Sequence, residues 1–359
     1  MKILYDHQMF SMQKFGGITR YFCDLFIHLP EDVAYELPIV YSENHYLQDS
    51  GRFDLKQISS ISSFRVKRRF YYFVNQIVSK KAIRSNQYDL FHPTYYSPYF
   101  CKYLNKPFVL TVHDMTHEKF REYFGKYDHT IEHKRFLIER ASHIIAVSQN
   151  TKNDIVELLN VPEDKISVVY HGYEQKVSPT EPLFNNYILF VGDRKGYKNF
   201  NTFIKAVTPM LRERKDLSVV CTGHPFSREE LELFTRFSIR SQMYHVNATD
   251  AQLASLYKYA LVFVYPSMYE GFGIPILEAF QNGCPVCLSR ASCFPEIGAD
   301  AVAYFDPLDV NSIAETVRNV MDSKAFSDIL RQKGYVRKEQ FSIEKMAEGT
   351  CEVYRRVCM

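Results

Sequence analysis

The chain has 359 residues, 46% of them apolar and 24% charged, with a formal net charge of +3. That length suits two domains with full cores, and the charge is too small to point to nucleic acid. No stretch approaches the roughly 20 apolar residues of a membrane span, and the start, M-K-I-L-Y-D-H-Q, meets charge too soon for a secretory leader. Scattered cysteines suggest a reducing, cytoplasmic setting. Cys284 and Cys287 alone have C-x-x-C spacing, but N-G-C-P-V-C-L-S reads as a turn and a short buried strand, without a second pair or nearby histidines to complete a metal site.

In chain order, short apolar runs alternate with amphipathic segments. Strands are expected at 2–5, 37–40, 90–92, 108–112, 144–147 and 166–169, then at 188–191, 218–222, 243–246, 261–265, 286–288 and 303–305. Helices fall between them, among others at 19–29, 132–141, 150–158, 202–214, 250–259 and 310–321. Repeated β-α units predict an α/β protein with parallel sheets covered on both faces. Two series predict two doubly wound, Rossmann-like domains, over 1–174 and 186–340. The segment 173–186, with two prolines and little periodicity, reads as the linker. An amphipathic helix at 343–357 closes the chain.

Several motifs lie at expected strand ends, where open α/β sheets bind ligands. Gly16 and Gly17 open the first long helix and suit close approach of a phosphate. His113 and Asp114 end the strand at 108–112. His92, Ser148 and His171 are further strand-end or junction residues, with Ser148 a helix cap. After the strand at 188–191, G-D-R-K-G-Y-K-N places Gly192 at a tight exit and brings the cations Arg194 and Lys198, with Lys195 as a lesser substitute. The most informative stretch follows the run 260–265: Y-E-G-F-G-I-P-I-L-E. Glu270 sits in a strand-to-helix loop and Glu278 about two turns into the helix. Gly271, Phe272, Gly273 and Ile274 form the helix entry, an arrangement that favours anions and polar oxygens. Two carboxylates for hydroxyls and a positive helix end for phosphates suit a polyhydroxylated ligand carrying a diphosphate.

The stretch A-S-L-Y-K-Y-A-L-V-F-V-Y-P-S-M-Y-E-G-F-G-I-P-I-L-E-A-F-Q-N-G-C-P-V resembles the C-terminal half of retaining glycosyltransferases of family 4, which have the GT-B fold. The resemblance covers nearly the whole chain and is strongest over 186–310. It implies two Rossmann-like domains facing a central cleft, with the helix at 343–359 packing back on the first, acceptor-side domain. It places Glu270 by the donor sugar and Glu278 on the ribose hydroxyls. It makes Gly192, Arg194 and Lys198 the diphosphate loop, Gly16 and Gly17 a glycine loop over the diphosphate, and V-H-D-M-T-H-E the segment whose His113 approaches donor sugar and acceptor. Glu296, in C-F-P-E-I-G, fits either a family Pro-Glu element or a helix cap.

The expected activity is transfer of a hexose from a nucleotide-sugar donor to a glycan or lipid-linked acceptor, with retention and without a metal or other cofactor. No D-x-D motif lies in a metal-holding setting. The strings G-G-I-T-R-Y and H-P-T-Y-Y-S-P resemble bacterial mannosyltransferases of surface polysaccharide synthesis, which makes GDP-mannose the first donor to consider. The alternatives are a non-catalytic sugar-nucleotide-binding protein, or an epimerase or phosphorylase of the same fold. Finally, 65–84 combines cations with four successive aromatics and holds no carboxylate. It fits either an anionic membrane surface, making the protein peripheral, or a helix with its aromatics packed inward.

Overall fold

The computed structural model describes residues 1–58, 63–175 and 177–359, so position 176 of the expected linker lies outside the described residues. The chain folds as two units, 1–172 with 343–359, and 173–342.

Among the described residues the first unit holds six strands: β1 (Lys2–Tyr5), β2 (Ala34–Glu36), β3 (Leu90–His92), β4 (Val109–Val112), β5 (His143–Ala146) and β6 (Ile166–Val168). They pair in parallel as β2-β1-β3 and β4-β5-β6, and a parallel bridge between Phe91 and Phe108 links the two sets. The resulting order reverses direction between β1 and β3, the position at which doubly wound sheets open a crevice. Except for the edge strands β2 and β6, the strands are short, mostly aliphatic and largely buried, as parallel strands under helices must be.

The second strand lies earlier than 37–40. Pro38 has no N–H to give a ladder, and the Ile39 amide bonds the Leu37 carbonyl two residues back (2.9 Å), which turns the chain out of the sheet. The closing helix, Ile343–Cys358, packs against the helix Gly17–His28 and against β3 and β5. It brings Tyr354 into a buried polar chain. The Tyr354 hydroxyl lies 2.8 Å from the Tyr5 hydroxyl and 2.6 Å from His92 Nδ1, and His92 Nε2 lies 2.9 Å from Thr111 Oγ1.

Among the described residues the second unit has one six-stranded parallel sheet in the order β12-β11-β10-β7-β8-β9. Its strands are β7 (Tyr187–Phe190), β8 (Ser218–Cys221), β9 (Met243–His245), β10 (Val262–Tyr265), β11 (Val286–Ser289) and β12 (Ala303–Phe305). Its core joins Ile188, Phe190, Val219, Val262 and Val264 of the sheet to Phe203, Val207 and Leu211 of the helix Phe200–Glu213 and to Ile313 and Val317 of the helix Val310–Asp322. This is the strand order of a dinucleotide-type fold. Its switch point lies between β7 and β10, which pair directly through Val262 with Ile188 and Phe263 with Leu189. Among the described residues no helix is long and apolar enough to cross a membrane.

Candidate functional site

The loops that leave β7 and β10 carry the glycine, cation and carboxylate motifs. Because those strands are neighbours at the switch point, residues some 70 positions apart in sequence meet at one sheet end. The Met268 amide bonds the Tyr197 carbonyl (2.8 Å) and fastens one loop to the other. Lys198 Nζ then lies 2.6 Å from Glu270 Oε1, with both side chains mostly enclosed. Ser292 fixes the Glu270 backbone from both sides: its hydroxyl accepts from the Glu270 amide (3.0 Å) and donates to the Glu270 carbonyl (3.1 Å). Tyr265, the last residue of β10, is buried beside this pair. Burial first and the Glu270 charge second push its hydroxyl well above the usual tyrosine range.

Gly192 leaves β7 with φ of +107°, in the region that favours glycine, and its amide reaches Thr222 Oγ1 (3.3 Å). Gly273 begins the helix Ile274–Gln281 with φ of +91°. Gly271 and Phe272 are buried before it, and the Phe272 ring packs edge-on to Phe341. Ile274 and Pro275 form the first turn. Glu278 is buried one turn further on and accepts a hydrogen bond from the Tyr257 hydroxyl (2.9 Å).

Arg194 departs from the expectation that it shares a rim with Lys198. Its side chain is 4% exposed and turned into the unit. Nε donates to Glu230 Oε1 (2.7 Å), Nη1 to the Thr222 carbonyl (3.0 Å), and Nη2 to the carbonyls of His224 and Pro225. The Phe226 ring covers the guanidinium at 4.9 Å. The capping residue Glu230 of the next helix captures the cation because a buried guanidinium needs a paired carboxylate and carbonyls for its donors. Arg194 therefore ties the β7 exit to the β8 exit.

In the first unit, Gly16 and Gly17 do open the helix Gly17–His28. The Gly16 carbonyl accepts from Thr19 Oγ1 and from the Arg20 amide. A Cβ on Gly17 would meet nothing within 4 Å. His113 follows β4, its amide bonded to the Tyr96 hydroxyl (3.1 Å) and its ring stacked parallel to His171 at 5.8 Å. Burial holds the His113 imidazole down at about 4, with the Asp114 charge opposing and the Lys134 charge assisting that shift. Asp114 lies below the usual carboxylate range although its own burial acts the other way, because Lys134 and the Thr116 amide stabilise its charge. His92 belongs to the buried chain on Tyr354. Ser148 caps the helix Gln149–Leu159 through the Thr151 amide (3.0 Å). Glu296 lies in the first turn of the short helix Phe294–Gly298.

Tyr257, Tyr265, Ser292 and Glu230 carry much of this geometry without being expected. Tyr265 could have been found as the strand-end residue before the glycine loop. The other three act across 21 or more positions and leave no local signal in the sequence.

Both units of the chain resemble known proteins. The family model for glycosyltransferase family 4 matches residues 15–176, and that for glycosyl transferases group 1 matches residues 174–337. Among curated proteins, O-antigen chain mannosyltransferase B of Escherichia coli is 27% identical over 294 residues, 76% of each chain. O-antigen chain mannosyltransferase RfbU of Salmonella typhimurium is 27% identical over 242 residues, 67% of this chain and 68% of that one. Among solved structures, HepE of Anabaena in complex with UDP and glucose superposes with a TM-score of 0.76 at 16% identity, over 99% of this chain and 100% of that one. The sucrose-phosphate synthase of Thermosynechococcus elongatus gives 0.76 at 17% identity, over 99% and 98%. With both family models tiling it from 15 to 337 and GT-B structures matching its fold, this chain belongs to the GT-B glycosyltransferases that join a family 4 domain to a group 1 domain.

Proposed function

We propose that the protein transfers a hexose, mannose from GDP-mannose in the first instance, to a glycan or lipid-linked acceptor of a surface polysaccharide, with retention at the anomeric carbon. The observation that carries this is the Lys198–Glu270 pair at the β7/β10 switch point, with Glu278 one helical turn behind a glycine entry. The two O-antigen mannosyltransferases of similar sequence support mannose and a polysaccharide product.

In this reading Glu278 accepts from the donor ribose, and Glu270 accepts from a hydroxyl of the transferred sugar. Lys198 turns its ammonium to the diphosphate. Loss of the nucleoside diphosphate breaks the bond from the anomeric carbon to phosphate oxygen and leaves negative charge on that oxygen. A fixed cation and the positive end of the helix Ile274–Gln281 lower the energy of that charge as it develops. The acceptor oxygen bonds the anomeric carbon from the same face, and its proton passes to the departing phosphate. The resemblance to the family adds a role for His113 near the donor sugar and the acceptor. Charge stabilisation by Lys198 and the helix end makes the expected reaction independent of added metal.

The test is product analysis. The protein is incubated with GDP-mannose, or with UDP-glucose as a contrast, and an undecorated polysaccharide acceptor, and the new linkage is read by NMR. An α-linked mannose product is expected. Donor turnover that yields only an epimer or a sugar phosphate, or no turnover with any sugar nucleotide that binds, overturns the proposal.

A further inference from the structure

The helix Phe64–Ser85 presents two opposed faces. Tyr71, Asn75, Ser79 and Ile83 are buried and fasten it to the first unit. Asn75 accepts from the amides of Val40 and Tyr41, and Tyr71 stacks on Tyr41. On the opposite side, Val66, Phe70, Phe73 and Ile77 are 54%, 42%, 62% and 53% exposed. Their spacing of four, three and four residues aligns them in one stripe, half a turn from the buried one. The four successive aromatics thus divide: Tyr71 goes inward, Phe70 and Phe73 go outward, and Tyr72 lies half-buried between. A polar outer face is the ordinary state of a surface helix; here the outer stripe is apolar and the helix contains no Asp or Glu. Arg65, Arg69, Lys81 and Arg84 are exposed along it. A cleft of about 400 Å³ opens at the helix flank, lined by Arg68, Arg69, Tyr72, Tyr96, Thr130 and His133. Its wall residue Tyr96 is the one that bonds the His113 amide.

We infer that this outer face is a docking surface for an anionic lipid bilayer, with Val66, Phe70, Phe73 and Ile77 entering the headgroup boundary and the flanking cations meeting lipid phosphates. Charge complementarity commits the face to that occupant. A water-soluble protein gains nothing from an apolar stripe this regular in solvent, and a cationic collar without carboxylates matches a negative membrane surface. Docking on this face sets the cleft of Arg68 and Tyr72 beside the membrane surface, where an acceptor anchored by a lipid phosphate would be presented. That consequence rests on the proposed transfer to a lipid-linked acceptor; the docking face itself does not.

The experiment is co-sedimentation of the full chain with vesicles of pure phosphatidylcholine and with vesicles of equal parts phosphatidylcholine and phosphatidylglycerol. Wild type should pellet with the mixed vesicles, weakly with the neutral ones, and less as salt rises. The variant Phe70→Ser/Phe73→Ser/Ile77→Ser should lower partitioning at least about tenfold. Arg65→Gln/Lys81→Gln should lower it less and flatten the salt dependence. Both variants should keep the wild-type nucleotide-binding heat, since neither alters the second unit, and should still unfold cooperatively, the serine variant at a slightly lower temperature because the Phe70 ring also packs edge-on to Tyr41. Wild type remaining in the supernatant, or equal pelleting of wild type and the serine variant, overturns the inference. So does a serine variant that turns a wild-type dimer into a monomer while pelleting unchanged, which would make the stripe a contact between copies. Failure to bind any sugar nucleotide with vesicle binding intact would strike the proposed transfer and leave the docking face standing.

Discussion

Lys198 Nζ and Glu270 Oε1 lie 2.6 Å apart, on two loops that neighbouring strands release at the same sheet end. The two side chains pair with each other in the structure, so under the proposed function a donor would exchange contacts with both members. Lys198 is then the cation whose loss should act on turnover. Lys198→Ala is expected to lower kcat by at least about a hundredfold, in line with removal of one preorganised charge contact. Lys195→Ala should change it little. Steady-state kinetics on both variants decides, and a Lys198→Ala enzyme with wild-type kcat removes the assignment.

Arg194 should behave differently. Its guanidinium is enclosed by Glu230 and three carbonyls. Arg194→Ala takes the donors from three carbonyls and from the part-enclosed Glu230 carboxylate, which keeps the Ser227 amide, and should destabilise the fold by about 1–3 kcal/mol. Chemical denaturation measures this. Restoration of most of the loss in Arg194→Met/Glu230→Leu would identify the pair as a fastener of the loops, whereas a stable Arg194→Ala protein with low turnover would return Arg194 to the diphosphate.

Glu278 is buried with the Tyr257 hydroxyl as partner. Glu278→Gln keeps its size and removes the charge that strengthens acceptance from hydroxyls. Donor affinity should weaken by about 1.5–3 kcal/mol. Tyr257→Phe should weaken it less, because it releases the carboxylate without discharging it. Calorimetry with the donor nucleotide reads both, and unchanged affinity in a folded Glu278→Gln protein refutes the ribose contact.

The two glycine loops should respond unequally to a methyl group. Gly273 has φ of +91°, and a Cβ there would lie 3.0 Å from Ile276 Cδ1 and 3.2 Å from Phe294 Cε1. Gly273→Ala should cost about 1–2 kcal/mol of stability and lower donor affinity, since the Glu278 helix starts there. A Cβ on Gly17 meets only open space. Gly17→Ala should leave the melting temperature unchanged, and any fall in turnover would then report a ligand that approaches its backbone.

Stability should fall on mild acidification. Burial holds His92 and His7 down to about 3 and His113 to about 4, and it lowers His171 as well. Neighbouring charges add to this for His7 (Lys80), His92 (His113) and His171 (His113). In the unfolded chain each binds a proton near about pH 6.5. Between that value and the folded one the unfolded state holds more protons, so stability rises with pH there and is flat above it. Each histidine contributes a slope approaching about 1.4 kcal/mol per pH unit. Denaturation midpoints at pH 7, 6 and 5 should therefore descend, and less steeply for His171→Phe. Equal midpoints at pH 7 and 5 would show that these imidazoles are not held neutral.

The sequence by itself determined the elements and their class. Short apolar runs at β-α spacing can only be buried parallel strands, so eleven of the twelve expected strands overlap strands among the described residues and 37–40 alone does not. Pro38 was the visible warning there. The glycine-framed loop after β10 was also legible, because backbone at φ above zero and a helix entry are written in local residues. The partners of the charged groups were not. That Lys198 meets Glu270 while Arg194 is drawn to Glu230 depends on which strands lie side by side, and strand order leaves no trace in spacing. The same holds for the outer face of Phe64–Ser85. Its composition offered both a membrane surface and an inward-packed helix, and only the tertiary structure decided which of its aromatics found a core and which were left facing solvent, because burial is set by what packs against a helix rather than by the helix itself.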